Sequence, residues 1–272
     1  MSVHVTAQAG FGQGTNELYD RVRPSYQDFS LDYIRDVAKQ TVSVRIVEIG
    51  AGTGIFTRAL LAHPRWTSDV QQIKAVEPSA GMREVFEKTV IDERVTVHDG
   101  TFDNTGVEDH WADLVIIAQA FHWCPDYDKA SAEFARILKP GGSLVLIWNL
   151  EDRGRARWVA QLRDRIEIHE QGTPQFRLNL WHQTFETVSY REFFESPVEK
   201  IWPYKLPTNV DIVVDRASSK SYIAVLPPID KAEVQADVRR IVDEGEDKVW
   251  IDKEKGVFEY PYQVFVVVAH LK

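Results

Sequence analysis

Residues 47 to 54 read VEIGAGTG: an apolar strand ends on an acidic residue and runs straight into a turn carrying Gly50, Gly52 and Gly54. Glycines placed this way let the backbone turn tightly and approach a ligand, because no Cβ blocks either. A dinucleotide fingerprint puts its third glycine three residues after the second. Here Gly54 follows Gly52 by two, with Phe56 and Thr57 beyond it, which disfavours a pyrophosphate cradle. Glu48, at the carboxyl end of a buried strand, suits a ligand with a cationic amino acid portion better than one with phosphates. Glu77 closes a second apolar run and is placed to take both hydroxyls of a ribose, a contact that a nicotinamide cofactor would use as well.

Composition narrows the field. The chain has 272 residues, 44% of them hydrophobic, enough for one sizeable α/β core or a core with a cap. A net charge of -9 lacks the clustered lysine and arginine with which nucleic acid is bound, so no nucleic acid partner is expected. The single cysteine, Cys124, excludes an internal disulfide; His110, His169 and His182 show no ligand spacing for zinc and Cys124 has no thiol partner, so no metal is expected. No basic stretch precedes an apolar core near residue 1 and no apolar run is long enough to span a bilayer. A cytoplasmic protein with no membrane partner is the expectation; oligomeric state is open.

Along the chain, apolar strands alternate with amphipathic helices, the pattern of a mostly parallel sheet covered on both faces. The pattern predicts a helix at 31–40, strands at 44–49, 72–76, 94–98 and 113–119, and helices at 54–62, 79–89 and 127–138. Pro140, Gly141 and Gly142 then break the last helix before SLVLIWN resumes as a fifth strand. Arginine, tryptophan and phenylalanine at helical spacing from Glu151 to Glu195 suggest a substrate cap. VEKIWPYKLP at 198–207 reads as a sixth strand, 229–244 as a helix, and YQVFVVVAHL at 262–271 as the last strand.

Four segments in chain order, VEIGAGTG, VEPSAGM at 76–82, IIAQAFHWC at 116–124 and RILKPGGSLVLIW at 136–148, resemble class I S-adenosylmethionine-dependent methyltransferases. VRPSY at 22–26 and AFHWC further resemble the small-molecule branch around the fungal trans-aconitate and cantharidin methyltransferases. The resemblance implies a Rossmann-like, seven-stranded, mostly parallel sheet with an antiparallel last strand, helices on both faces and a helical cap. Its expected divisions are a lid segment at 1–40, a cofactor core at 41–150, cap segments at 151–195 and 208–250, and last strands at 198–207 and 258–272.

It also implies S-adenosyl-L-methionine as cofactor and a small-molecule acceptor, methylated on a carboxylate or hydroxyl oxygen. Gly50, Ala51, Gly52 and Glu48 would meet the methionine portion, Glu77 the ribose, Pro78 and Met82 the adenine face, and Asp99 with Gly100 or Thr101 its edge. Gln119 and Ala120 would lie at the reactive methyl. His122 is the candidate catalytic residue, as a base for a hydroxyl or as a positioning donor for a carboxylate. Tyr19, Arg23, Trp123 and Trp148 are candidates for the acceptor pocket. Arg23 would pair either with an anionic substrate or with the chain's own carboxylates, and Trp148 and Trp181 are open between pocket and core. A nicotinamide-dependent oxidoreductase and a non-catalytic cofactor-binding or interaction subunit stand as alternatives.

Overall fold

A computed structural model describes residues 16–38 and 42–272. The parts of the expected lid at 1–15 and of the first helix at 39–40 lie outside them. Two helices, α1 (Asn16–Val22) and α2 (Asp28–Val37), precede β1 (Val44–Ile49). Then come α3 (Ile55–Ala62), α4 (Pro64–Thr67), β2 (Val70–Val76), α5 (Ala80–Thr89), β3 (Val95–His98), β4 (Ala112–Ala118), a 3-10 turn (Phe121–Trp123), α6 (Tyr127–Ile137) and β5 (Leu138–Glu151). The second half runs through α7 (Arg157–Glu167), 3-10 turns at Phe176–Leu178 and Leu180–Glu186, α8 (Val188–Phe193), β6 (Val198–Thr208), α9 (Val210–Ser218), α10 (Ser221–Ala224), α11 (Pro228–Glu244), β7 (Trp250–Asp252) and β8 (Val257–His270).

The strands form one sheet in the order β3-β2-β1-β4-β5-β8-β6. The first five are parallel, and β8 runs antiparallel between β5 and β6. This matches the expected seven strands, with one addition: the short β7 pairs with β8, a three-residue piece too brief to show its own pattern. β8 also starts at Val257, because Phe258, Tyr260 and Tyr262 carry its buried face across Pro261. β5 begins at Leu138, so Pro140, Gly141 and Gly142 lie within the strand rather than before it.

Strand side chains alternate between two apolar cores. Val44, Ile46, Leu114, Ile116, Val145 and Ile147 face a core closed by α2, α3, α7, α9 and α11. Val47, Ile49, Val115, Ile117, Leu146 and Trp148 face the other, closed by α6, α8 and the 3-10 turns. The same alternation puts Glu48, Asn149 and Glu151 on the first face at the strands' carboxyl ends. Strand order reverses between β1 and β4, and in open α/β sheets ligands bind outside the strand ends at such a switch point. Among the described residues no helix is long and apolar enough to cross a membrane.

Candidate functional site

At the switch point the chain leaves β1 through Gly50, whose φ is +72° and whose missing Cβ would lie 2.5 Å from the Cβ of Ala120. Only glycine lets the turns after β1 and β4 approach this closely. Gly52, φ +57°, faces open space where a Cβ would meet nothing within 4 Å. Glu77 anchors the loop: one carboxylate oxygen accepts from the Gly52 N–H at 2.9 Å and the other from the Ser79 N–H at 2.8 Å. Ser79 in turn caps α5, accepting from the Met82 N–H. Burial raises the Glu77 carboxyl above its ordinary range against those two donors.

Glu48 is 2% exposed and accepts a hydrogen bond from the Thr57 hydroxyl. Burial pushes it up to about 8, so near neutrality it favours the protonated form. A buried carboxyl held above neutrality beside a backbone with open space suits a cationic ligand, whose arrival would favour ionisation. The residues present therefore fit a cofactor carrying an ammonium group. Tyr19, Arg23, Glu48, Gly50, Gln119 and Arg216 are among the walls of this space.

A second cavity of about 350 Å³ adjoins it, sharing Tyr19, Arg23, Gln119 and Asn149 and adding His122, Trp123, Trp148, Glu151, Arg163 and Lys220. Gln119 adopts φ +62°, rare for a residue with a side chain. Its amide donates to the Asn149 carbonyl at 3.0 Å and accepts from the Asn149 N–H at 2.5 Å. Asn149 ties three segments together, donating to the Ser25 carbonyl at 3.3 Å and accepting from the Tyr204 hydroxyl at 2.8 Å. His122, half-buried on the 3-10 turn, accepts at Nδ1 from the Trp148 indole at 3.3 Å. Burial, Lys220 and Arg23 push its imidazole down to about 3.

Beneath this cavity Glu151, at the end of β5, is ringed by cations: Arg163 at 2.6 Å, Lys220 at 2.9 Å and Arg216 at 3.4 Å. Burial alone would raise its carboxyl, but Lys220, Arg216 and Arg163 outweigh that and hold it well below the carboxylate range. Burial, with the neighbouring guanidiniums, pushes Lys220 well below its ordinary value. Arg216 keeps two buried nitrogens, Nε and Nη1, without a hydrogen-bond partner among the described residues. Asp152 and Glu167 also line the cavity, Glu167 pairing with Arg163 at 2.7 Å, so five lysine and arginine side chains (Arg23, Arg153, Arg163, Arg177, Lys220) face three carboxylates on its walls.

The structure brings together Tyr19, Arg23, Glu48, Gly50, Ala51, Gly52, Gln119, His122, Trp123 and Trp148 around these two adjoining spaces. Pro78, Met82, Asp99, Gly100 and Thr101 lie along the β2 and β3 ends. There Met82 is buried, while Asp99 is exposed and receives Arg83 Nη1 at 3.1 Å. Among the described residues Arg23 forms no ion pair with a carboxylate: it donates to the Ser219 hydroxyl at 3.0 Å and carbonyl at 2.7 Å and lies over the Tyr19 ring. Trp181 belongs to the core, packed on Trp148 and Phe176, and His182 pairs with Glu199 at 3.3 Å. The sequence reading missed Glu151, Arg163, Arg216 and Lys220. The signal for Glu151 was available, since it closes an apolar strand just as Glu48 does.

Residues 47–146 match the methyltransferase domain family. An uncharacterized methyltransferase-like protein of Schizosaccharomyces pombe is 29% identical over 224 residues, 82% of each chain. An uncharacterized methyltransferase of Mycobacterium tuberculosis is 33% identical over 163 residues, 56% of this chain and 61% of that one. Among solved structures, a phosphoethanolamine N-methyltransferase of Haemonchus contortus, in complex with phosphomonomethylethanolamine and S-adenosylhomocysteine, shares the fold at 16% identity and a TM-score of 0.53. That match covers 94% of this chain and 56% of that one.

Proposed function

We propose that this chain, an S-adenosylmethionine-dependent methyltransferase of class I, moves the methyl group to an oxygen of a small anionic molecule. The observation that carries this reading is the cation-rich wall around Glu151, in a cavity that adjoins the glycine loop and reaches His122. The methyltransferase matches weigh against the nicotinamide and non-catalytic alternatives.

Bound S-adenosylmethionine supplies an electrophilic methyl on a sulfonium, so the protein's task is alignment and exclusion of water more than acid or base chemistry. Glu48 would take the ammonium end, directly or through water, and Glu77 the ribose, sharing the oxygens that now hold Gly52 and Ser79. Pro78 and Met82 would flank the adenine, with Asp99, Gly100 and Thr101 at its edge. Arg216 offers two buried N–H groups to a carboxylate, since leaving them unpaired costs stability that an anion restores. Gln119 and Ala120 would present backbone at the reacting carbon, and Lys220 and Arg163 would hold the acceptor's negative charge.

Around this core, the described part of residues 1–40 serves as lid and residues 151–195 and 208–250 as acceptor cap. Asp20 fastens α1 to the loop region through Thr53 at 2.7 Å and Arg58 at 2.6 Å. An oxygen acceptor in a cationic pocket agrees with the resemblance to the fungal small-molecule branch.

Labelled methyl transfer to panels of small carboxylic acids, phenols and amines tests the proposal, after calorimetry with S-adenosylhomocysteine has established cofactor binding. Base-labile methyl esters, or phenol ethers from acidic phenols, are the expected products. Transfer to amines alone would overturn it.

A further inference from the structure

The hydrogen bond between Trp148 and His122 has only one possible direction. An indole N–H donates and cannot accept, so Nδ1 of His122, 3.3 Å away, must be the nitrogen without a proton. Neutral imidazole carries one proton, which is then on Nε2. Trp148 is not placed to release this constraint: it is 0% exposed, with ring centroids of Trp181 at 4.8 Å, Phe176 at 4.9 Å and Phe265 at 6.3 Å. The backbone carrying His122 is held in the 3-10 turn, where the Trp123 N–H bonds the Ala120 carbonyl at 2.9 Å. With Nδ1 engaged, Nε2 is the ring nitrogen left to meet a molecule in the cavity that His122 lines.

We propose that Trp148 is a positioning residue that fixes His122 as its Nε2–H tautomer, so that His122 donates a hydrogen bond to the acceptor's oxygen and does not take a proton from it. This rests on the reading of the cavity as the acceptor site for oxygen methylation. A base at Nε2 would need a lone pair where the proton already sits, and moving that proton to Nδ1 would set it against the indole N–H. The charged and titratable groups around the ring act in the same sense. Lys220 and Arg23 disfavour an imidazolium, while Glu151 is already paired to Lys220 and Arg163; Tyr19 and Tyr222 also line the cavity, where burial raises the Tyr222 phenol. An oxygen that arrives ionised then forms the C–O bond as the C–S bond breaks. The sulfur keeps the bonding pair, and no proton has to leave.

The tautomer can be observed without any acceptor, by nitrogen-15 correlation spectra of histidine-labelled protein, with His122 assigned by its loss in His122→Gln. A protonated Nε2 and a bare Nδ1, unchanged from pH 5.5 to 8, are expected. A protonated Nδ1, or a titration in that range, overturns the proposal even if the protein methylates oxygen. Once an acceptor is in hand, His122→Gln, which keeps a donor, should retain activity within about tenfold, while His122→Phe should not. If His122 is instead a base, both variants should fall by about a hundredfold or more, with a wild-type rate rising through pH 6 to 7. Trp148→Phe, if it folds, should shift the ring toward a mixture of tautomers; an unaltered Nε2–H signal there would remove Trp148 from the role.

Discussion

Glu48 and Glu151 are two buried carboxyl groups, each on the same face of the sheet at the carboxyl end of a strand, and each 2% exposed, in residue and side chain respectively. They are electrically opposite. Glu48 meets one hydroxyl, and burial raises it to about 8. Glu151 meets Arg163, Lys220 and Arg216, which hold it far below the usual carboxylate range. Glu48 thus has no ion-pair partner among the described residues, a place that a ligand's ammonium can take, whereas Glu151 already has three cations around it. Burial alone does not decide what a carboxyl does; the partners brought to it by distant segments do.

The largest effect that tests this contrast is on folding. Glu151→Gln leaves buried Lys220 and Arg216 without their carboxylate, while Arg163 keeps Glu167 at 2.7 Å, and should cost about 3–5 kcal/mol in chemical denaturation at pH 7. Glu48→Gln, replacing a carboxyl already largely protonated, should change stability by about 1 kcal/mol or less. Equal losses from the two would erase the distinction.

Next in size, Glu77→Ala should weaken S-adenosylhomocysteine about tenfold to a hundredfold in calorimetry, having removed an acceptor of two N–H groups as well as the ribose partner. Undiminished affinity would mean that the ribose lies elsewhere. Lys220→Met should raise the KM for an anionic acceptor about tenfold, because the ammonium no longer donates a charge-assisted hydrogen bond to it, while leaving S-adenosylhomocysteine affinity within about twofold. A similar weakening for both ligands would merge the two ends of the crevice into one site.

The gentlest test is pH. Because the free Glu48 carboxyl lies near 8 and an ammonium group favours its ionised form, cofactor affinity should rise as pH climbs toward 8 and then level, with a proton released on binding at pH 7. Lys220 is displaced downward, and an anion favours its charged form, so acceptor affinity should fall with rising pH. Parallel slopes, or a slope that survives in Glu48→Gln, would refute this pairing.

The fold was legible because its information is local. The two-residue and 3.6-residue periods marked β1, β2, β4 and most helices within a few residues, and the glycine loop lay in one unbroken stretch. The loops at the ends of β1 and β2 were legible for the same reason, since VEIGAGTG and VEPSAGM each carry their own turn chemistry. The second cavity was not, because it is assembled from Tyr19, His122, Glu151, Arg163 and Lys220, whose separations along the chain have no period to read. Arg23 shows the limit well: of the sequence alternatives, an anionic substrate or a carboxylate of the chain, the second is not found among the described residues, where Arg23 donates to the hydroxyl and carbonyl of Ser219. The cofactor itself, expected from resemblance, agrees with the family match.

The amide of Gln119 behaves as a prosthetic peptide unit. β4 ends at Ala118, and the Gln119 N–H makes the last ladder bond, to Ile147 at 2.8 Å. Beyond it, the side chain offers Asn149 the same donor and acceptor that another strand residue would have offered. The sheet is therefore one rung longer than the chain that builds it. That spare rung releases the Gln119 carbonyl and the Ala120 N–H from hydrogen-bonding duty to β5, at the point where β4 gives way to the walls of the two cavities. A shorter amide or a hydroxyl at 119 would not reach both atoms, so this position constrains side-chain length as strictly as the glycines before it constrain side-chain absence.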